Sequence, residues 1–216
     1  MQQLIDEALR YLGVRGMADE TLRSQLTVLA NEFSSLITPR HIWRIFPLRR
    51  ASNGILSGNI LLTGSSAAKM LAECGSCAVM VCTLGTAFDA WLQRMQARDM
   101  ARAVMLDALG SALIESACDK VETEIAGRFP KHYLTDRFSP GYGDLPLALQ
   151  PELLSAAEAQ RIGVGVTDTC MLTPQKSVTA LVGIAETPQA ARIRGCAYCA
   201  MNKTCTLRKA GMTCDL

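Results

Sequence analysis

The chain has 216 residues, enough for one domain with a substantial buried core. Lysine and arginine number 22 against 20 acidic residues, a net charge of +2, and aromatic residues make up only 5%, which leaves no electrostatic or stacking case for a nucleic-acid partner. No apolar run approaches the roughly eighteen residues a membrane helix needs, and the N-terminal Met1 to Glu7 is acidic rather than signal-like, so a cytoplasmic protein without a membrane partner is expected.

In chain order, Leu4, Ile5, Ala8, Leu9 and Leu12 share one helical face that Gly13 stops. A second helix follows behind a cap at Asp19, with Leu22, Leu26, Leu29, Phe33 and Leu36 in phase. Ile42 to Leu48 reads as a half-buried strand, and the apolar pairs around Ser57-Gly58-Asn59 predict a hairpin. Ser65 or Ser66 is expected to cap a helix through Ala72, Cys77 to Cys82 reads as a buried strand, and Gly85-Thr86 caps a further helix. The longest periodic segment is Met100 to Ile125, with Gly110 marking a candidate break. Its stripe of Leu106, Leu109, Leu113, Ala117 and Val121 leaves Glu115 on another side, as a solvated charge on its own evidence. Pro151 opens a short helix to Ala159 closed by Gly163, and 164–166 and 177–184 read as strands. This order, with a hairpin and no repeated strand-helix unit, predicts an α+β fold around an antiparallel sheet.

The densest punctuation is Arg137-Phe138-Ser139-Pro140-Gly141-Tyr142-Gly143-Asp144-Leu145-Pro146. Ser139 to Tyr142 suits a type II turn, because proline pre-sets φ at its second position and glycine accepts the positive φ of its third. Arginine offers a planar fork for a carboxylate or phosphate, and tyrosine a π face plus a hydroxyl. On these residues alone an ordinary surface turn with a salt-bridged arginine is the commoner case, and a ligand clamp the sharper alternative.

The spacing of Arg137, Gly141 and Tyr142, beyond an amphipathic helix carrying Glu115 and ahead of Thr173-Pro174-Gln175-Lys176-Ser177-Val178, resembles the activation domain of cobalamin-dependent methionine synthase over roughly residues 100 to 185. The resemblance implies a twisted antiparallel sheet flanked by helices and a site for S-adenosylmethionine. It implies that Arg137 pairs the methionyl carboxylate, that Glu115 attracts the ammonium, and that Tyr142 and Gly141, with the adjoining Gly143 and Asp144, fix the rest. The family's turn has proline where this chain has Gly143. The implied activity is the repair of cob(II)alamin by reductive methylation, as the activation subunit of a methyltransferase. No Asp-x-His-x-x-Gly motif surrounds His41 or His132, so the cobalamin is expected on a separate methionine synthase or corrinoid protein, with ferredoxin or flavodoxin as the kind of electron donor.

Nine cysteines cannot all pair internally. Cys196, Cys199, Cys205 and Cys214 crowd the last stretch, spaced by two, five and eight residues, with Lys203, Arg208 and Lys209 among them to favour thiolates. Residues 191–216 are therefore expected to form a metal-binding tail after a domain at 1–190, holding an iron-sulfur cluster or, alternatively, zinc. Cys74, Cys77, Cys82, Cys118 and Cys170 lie in apolar patterns and read as structural. Two other functions stay open at this point: a zinc-binding scaffold without catalysis, and a corrinoid reductase that uses no adenosyl ligand.

Overall fold

The computed structural model describes residues 1–14, 18–189 and 203–209. Its helices are α1 (Gln2–Tyr11), α2 (Glu20–Leu36), α3 (Ser65–Met70), α4 (Thr86–Gln96), α5 (Met100–Arg128) and α6 (Gln150–Ala157), with a last turn at Thr206–Lys209. The strands are β1 (Arg40–Ala51), β2 (Gly54–Ser57), β3 (Ile60–Leu62), β4 (Cys74–Thr83), β5 (Tyr133–Leu134), β6 (Gly165–Val166), β7 (Leu172–Thr173) and β8 (Ser177–Ala185). Six form one antiparallel sheet in the order β3-β2-β1-β4-β8-β5, flanked by helices, and β6 with β7 makes a separate two-stranded ribbon. The expected α+β class is the observed one.

The chain divides into two compact units. The first comprises Met1–Ile42, Val81–Thr123 and Ala157–Val178; the second comprises Trp43–Met80, Glu124–Ala156 and Thr179–Leu216. β1, β4, α5 and β8, and α6 by its last residue, contribute to both.

In the first unit the periodic leucines do what their spacing predicts. Ile5 and Leu9 of α1, Leu26 and Leu29 of α2, and Met105, Leu109 and Ala112 of α5 form one buried cluster. Asp19 caps α2 as expected, accepting the Thr21 N–H at 3.3 Å. Gly110 does not break α5, which runs unbroken from Met100 to Arg128. A Cβ there would collide with the ring of Phe88, which is fully buried on α4, so the glycine serves a close helix crossing.

In the second unit the hairpin forms in the register Ile55↔Leu62 and Ser57↔Ile60. Cys77, Ala78, Val79 and Met80 of β4 are completely buried, which is why that stretch is continuously apolar. The strand begins earlier than predicted, at Cys74, because α3 ends at Met70 and the chain turns through Leu71. A buried hydrogen bond from the Thr179 hydroxyl to the Gln150 side-chain oxygen joins β8 to α6.

Candidate functional site

The glycine-rich loop is prepared by an irregularity in the sheet. β5 pairs with β8 as Tyr133↔Ala185 and Leu134↔Ile184, and the Thr135 N–H continues the ladder to the Gly183 carbonyl at 3.0 Å. Phe138 then exchanges two hydrogen bonds with Leu181, at 3.0 and 2.8 Å. Between those contacts Asp136 and Arg137 oppose the single residue Val182, which makes a β-bulge. A bulge bends its strand and re-aims a side chain, and it falls on Arg137. Arg137 is half-buried and has interaction partners within the protein. Phe138, next to it, is 2% exposed and pins the strand to the core.

Beyond the bulge the chain makes two turns in succession. The Tyr142 N–H donates to the Ser139 carbonyl at 3.1 Å and Gly141 has φ +91°, as a type II turn over Ser139 to Tyr142 requires. Next the Leu145 N–H donates to the Tyr142 carbonyl at 3.1 Å, around Gly143 at φ +57°. The Gly141 N–H closes the loop onto the Leu145 carbonyl at 2.8 Å. Pro140 and Leu145 are buried, whereas Tyr142 at the tip is 62% exposed. Only Leu147 Cδ1, at 3.5 Å, lies near the place of a Gly141 Cβ, so that face of the backbone is open.

Asp144 has a definite employment. Its carboxylate accepts the Ser65 N–H at 2.6 Å and the Ser66 N–H at 2.9 Å, the first amides of α3. Neither serine caps its own helix: Gly64 stands at the N-cap and no side chain of α3 serves there, so the cap comes from 78 residues further along the chain. Hydrogen bonds from the backbone and side chain of Ser66, and then from Ser65, hold the Asp144 carboxyl well below the usual carboxylate range. Sequence reasoning missed this bond because a cap signal is sought within a few residues of the helix it serves.

The remaining candidate residues belong to the first unit or to the tail. Glu115 is half-buried on α5 in the first unit, where its charge adds to desolvation in raising the Tyr11 phenol. The Thr173 to Val178 motif is also in the first unit and well anchored: Lys176 Nζ contacts Asp107 Oδ1 at 2.9 Å and Ser111 Oγ at 2.8 Å, and the Ser177 hydroxyl donates to Thr83 Oγ1 at 2.8 Å. In the tail, Cys196, Cys199 and Cys214 lie outside the described residues, and Cys205 is a half-buried free thiol. Among the described residues no group of three or more histidine, cysteine or acidic side chains is placed to hold a metal ion, and no helix is long and apolar enough to cross a membrane. Cys74, Cys77, Cys82, Cys118 and Cys170 are in no disulfide, and Cys77, Cys82 and Cys118 are buried. Burial, with some help from Glu73, pushes the Cys74 thiol up to about 11, and burial raises Cys77 further.

No protein-family model matches the chain, and no curated protein does. Among solved structures, the crystal structure of the MetH reactivation domain bound to AdoHcy superposes with a TM-score of 0.68. The match is 16% identical in sequence and covers 99% of this chain and 83% of that one. At that identity the match establishes the fold alone: the described backbone has the fold of that reactivation domain.

Proposed function

We propose that the chain binds S-adenosylmethionine through the bulge and double turn at 137–146 and supports the reductive methylation of cob(II)alamin on a separate methionine synthase or corrinoid protein. The observation that carries the proposal is the coincidence of the Arg137, Gly141, Tyr142 turn with a backbone that follows an AdoHcy-bound domain over almost its whole length. The loop residues suit such a ligand. A guanidinium at a bulge offers a fork to the methionyl carboxylate, an exposed phenol ring at the tip offers a face to the sulfonium or the nucleoside, and the open Gly141 backbone admits close approach. Gly143 and Asp144 contribute by framing the turn, since the Asp144 carboxylate is already occupied by α3. Bound S-adenosylmethionine supplies an electrophilic methyl group; the protein supplies position.

The partner in this proposal carries the cobalamin, and a ferredoxin or flavodoxin supplies the electron. Cys196, Cys199, Cys205 and Cys214 are proposed to ligate an iron-sulfur centre at which that electron enters, which metal analysis of anaerobically purified protein tests directly.

Titration calorimetry with S-adenosylmethionine and with S-adenosylhomocysteine tests the adenosyl site. Arg137→Ala removes a charge-assisted contact and is expected to weaken binding by roughly tenfold to a hundredfold. Glu115→Gln tests separately whether that carboxylate takes part. Absence of saturable binding, or full affinity in a folded Arg137→Ala variant, overturns the proposal.

A further inference from the structure

α4 has two unlike faces. Phe88 and Leu92 are buried. Ala87, Trp91, Arg94 and Met95, with Arg98 just past the helix end, recur at helical spacing on another side. That second face lines an open cavity of about 680 Å³ in the first unit, together with Leu36 and Ile37 at the end of α2. The volume lies in the ordinary range of small-molecule sites, and the lining is mixed in the usual way, with apolar walls and a few strongly polar groups.

The polar groups are mostly of one sign. Arg94, Arg98 and Arg102 meet a single acid, Asp99. Asp99 is engaged, because its carboxylate accepts the Arg102 N–H at 3.1 Å in the first turn of α5. Asp99 thus occupies one amide at the start of the 29-residue helix, and the groups the cavity offers an anion are chiefly the guanidinium forks. Arg102 reaches Glu32 at 3.4 Å, a pair about half exposed on both sides and accordingly weak. Among the described residues the Arg94 and Arg98 side chains have no hydrogen-bond or ion-pair partner. Exposed arginines without partners are common. Two of them beside a half-buried indole in a concave wall are a recognition arrangement, since the ring takes a flat π-system and the forks take a phosphate.

We infer that this cavity binds a phosphorylated aromatic heterocycle of the mononucleotide class, its ring against Trp91 and its phosphate held by Arg94 and Arg98. An acidic segment of a protein partner is the competing occupant. The compact volume and single aromatic wall favour the small ligand, because an acidic segment is better met by an extended strip of cations. The inference does not depend on the adenosyl site, whose loop residues belong to the other unit.

Calorimetric titration of the full chain with ADP, FMN, inorganic pyrophosphate and a hexaglutamate peptide tests it. Saturable binding of ADP or FMN is expected, weakened roughly tenfold or more by Arg94→Ala and by Arg98→Ala. Trp91→Ala should weaken the nucleotides while leaving pyrophosphate unchanged. Arg137→Ala should leave nucleotide binding intact, which separates this cavity from adenosine recognition at the loop. No saturable nucleotide binding at millimolar concentration, or binding undiminished in the arginine variants, overturns the inference. So does a hexaglutamate peptide that outcompetes ADP with the same arginine dependence, which would assign the cavity to a protein partner.

Discussion

Replacing Gly141 by alanine isolates the conformational demand of the loop. At φ +91° an L-residue suffers a backbone clash worth about 1–2 kcal/mol, and alanine returns only some of that by restricting the unfolded chain. Space is not the obstacle, because the nearest atom to the added Cβ is Leu147 Cδ1 at 3.5 Å, an ordinary van der Waals contact. Gly141→Ala should therefore destabilise the protein by about 1 kcal/mol, read as a lower urea midpoint at unchanged slope. Gly141→Asn should cost less, since asparagine visits positive φ more readily. Adding Leu147→Ala to Gly141→Ala should bring no rescue. In calorimetry Gly141→Ala should also weaken S-adenosylmethionine binding, because the turn that carries Tyr142 is altered. The reasoning is refuted if Gly141→Ala is as stable as the parent, or if Leu147→Ala restores it, since the first denies the strain and the second makes it steric.

Gly110→Ala should destabilise despite improved helix propensity: the propensity gain is about 1 kcal/mol, whereas overpacking against the fully buried Phe88 ring costs about 1–3 kcal/mol. In a Phe88→Leu background the same substitution should be less damaging, and equal effects in the two backgrounds would show that no crossing constraint exists. The lowered Asp144 carboxyl contributes stability that is present above its ordinary value of 3.8 and disappears as pH falls toward its folded value. Thermal unfolding should therefore show Asp144→Asn less stable than the parent near neutral pH, with the gap closing in acid; a gap constant with pH would contradict the charged cap. Cys74 and Cys77, with thiols raised by burial, should resist N-ethylmaleimide at pH 8 in the folded protein and react quickly in urea. Peptide mass mapping that finds Cys77 labelled as fast in both states would contradict the buried strand.

Periodicity over long segments carried most of the fold. The leucines of α1, Leu22, Leu26 and Leu29 of α2 and the apolar run of β4 pack on the face their spacing predicts, whereas Leu36, predicted in the same stripe, is exposed because it ends the helix. Of the two-residue strands only β6 was legible, within the strand read at 164–166. β5 and β7 have no periodicity of their own and exist because a longer neighbour or a turn supplies their hydrogen bonds. Turn chemistry was readable where proline and glycine stand together, as at Ser139 to Tyr142. The bulge at Asp136 and Arg137 was not, since it follows from the register of β8, a strand some forty residues onward in the chain. Gly110 shows the same limit: a glycine inside a helix looks like a break until the ring it makes room for is known.

The loop at 137–146 is tied down by the protein's own contacts, and this bears on what it can recognise. Three internal hydrogen bonds close it, Phe138, Pro140 and Leu145 are sunk into the protein, and Asp144 ties its far end to two amides of α3. The conformational entropy of ordering these residues is thus charged to folding rather than to binding, so a ligand that meets Arg137 and Tyr142 orders little beyond their side chains. A reactivation step needs one methyl group held in one place more than it needs tight binding, and a preformed turn meets that need. It follows that Asp144→Asn, which touches no part of a ligand in this scheme, should raise the dissociation constant for S-adenosylmethionine while leaving Arg137 and Tyr142 in place. An affinity unchanged in Asp144→Asn would mean that the α3 tie supports the fold alone.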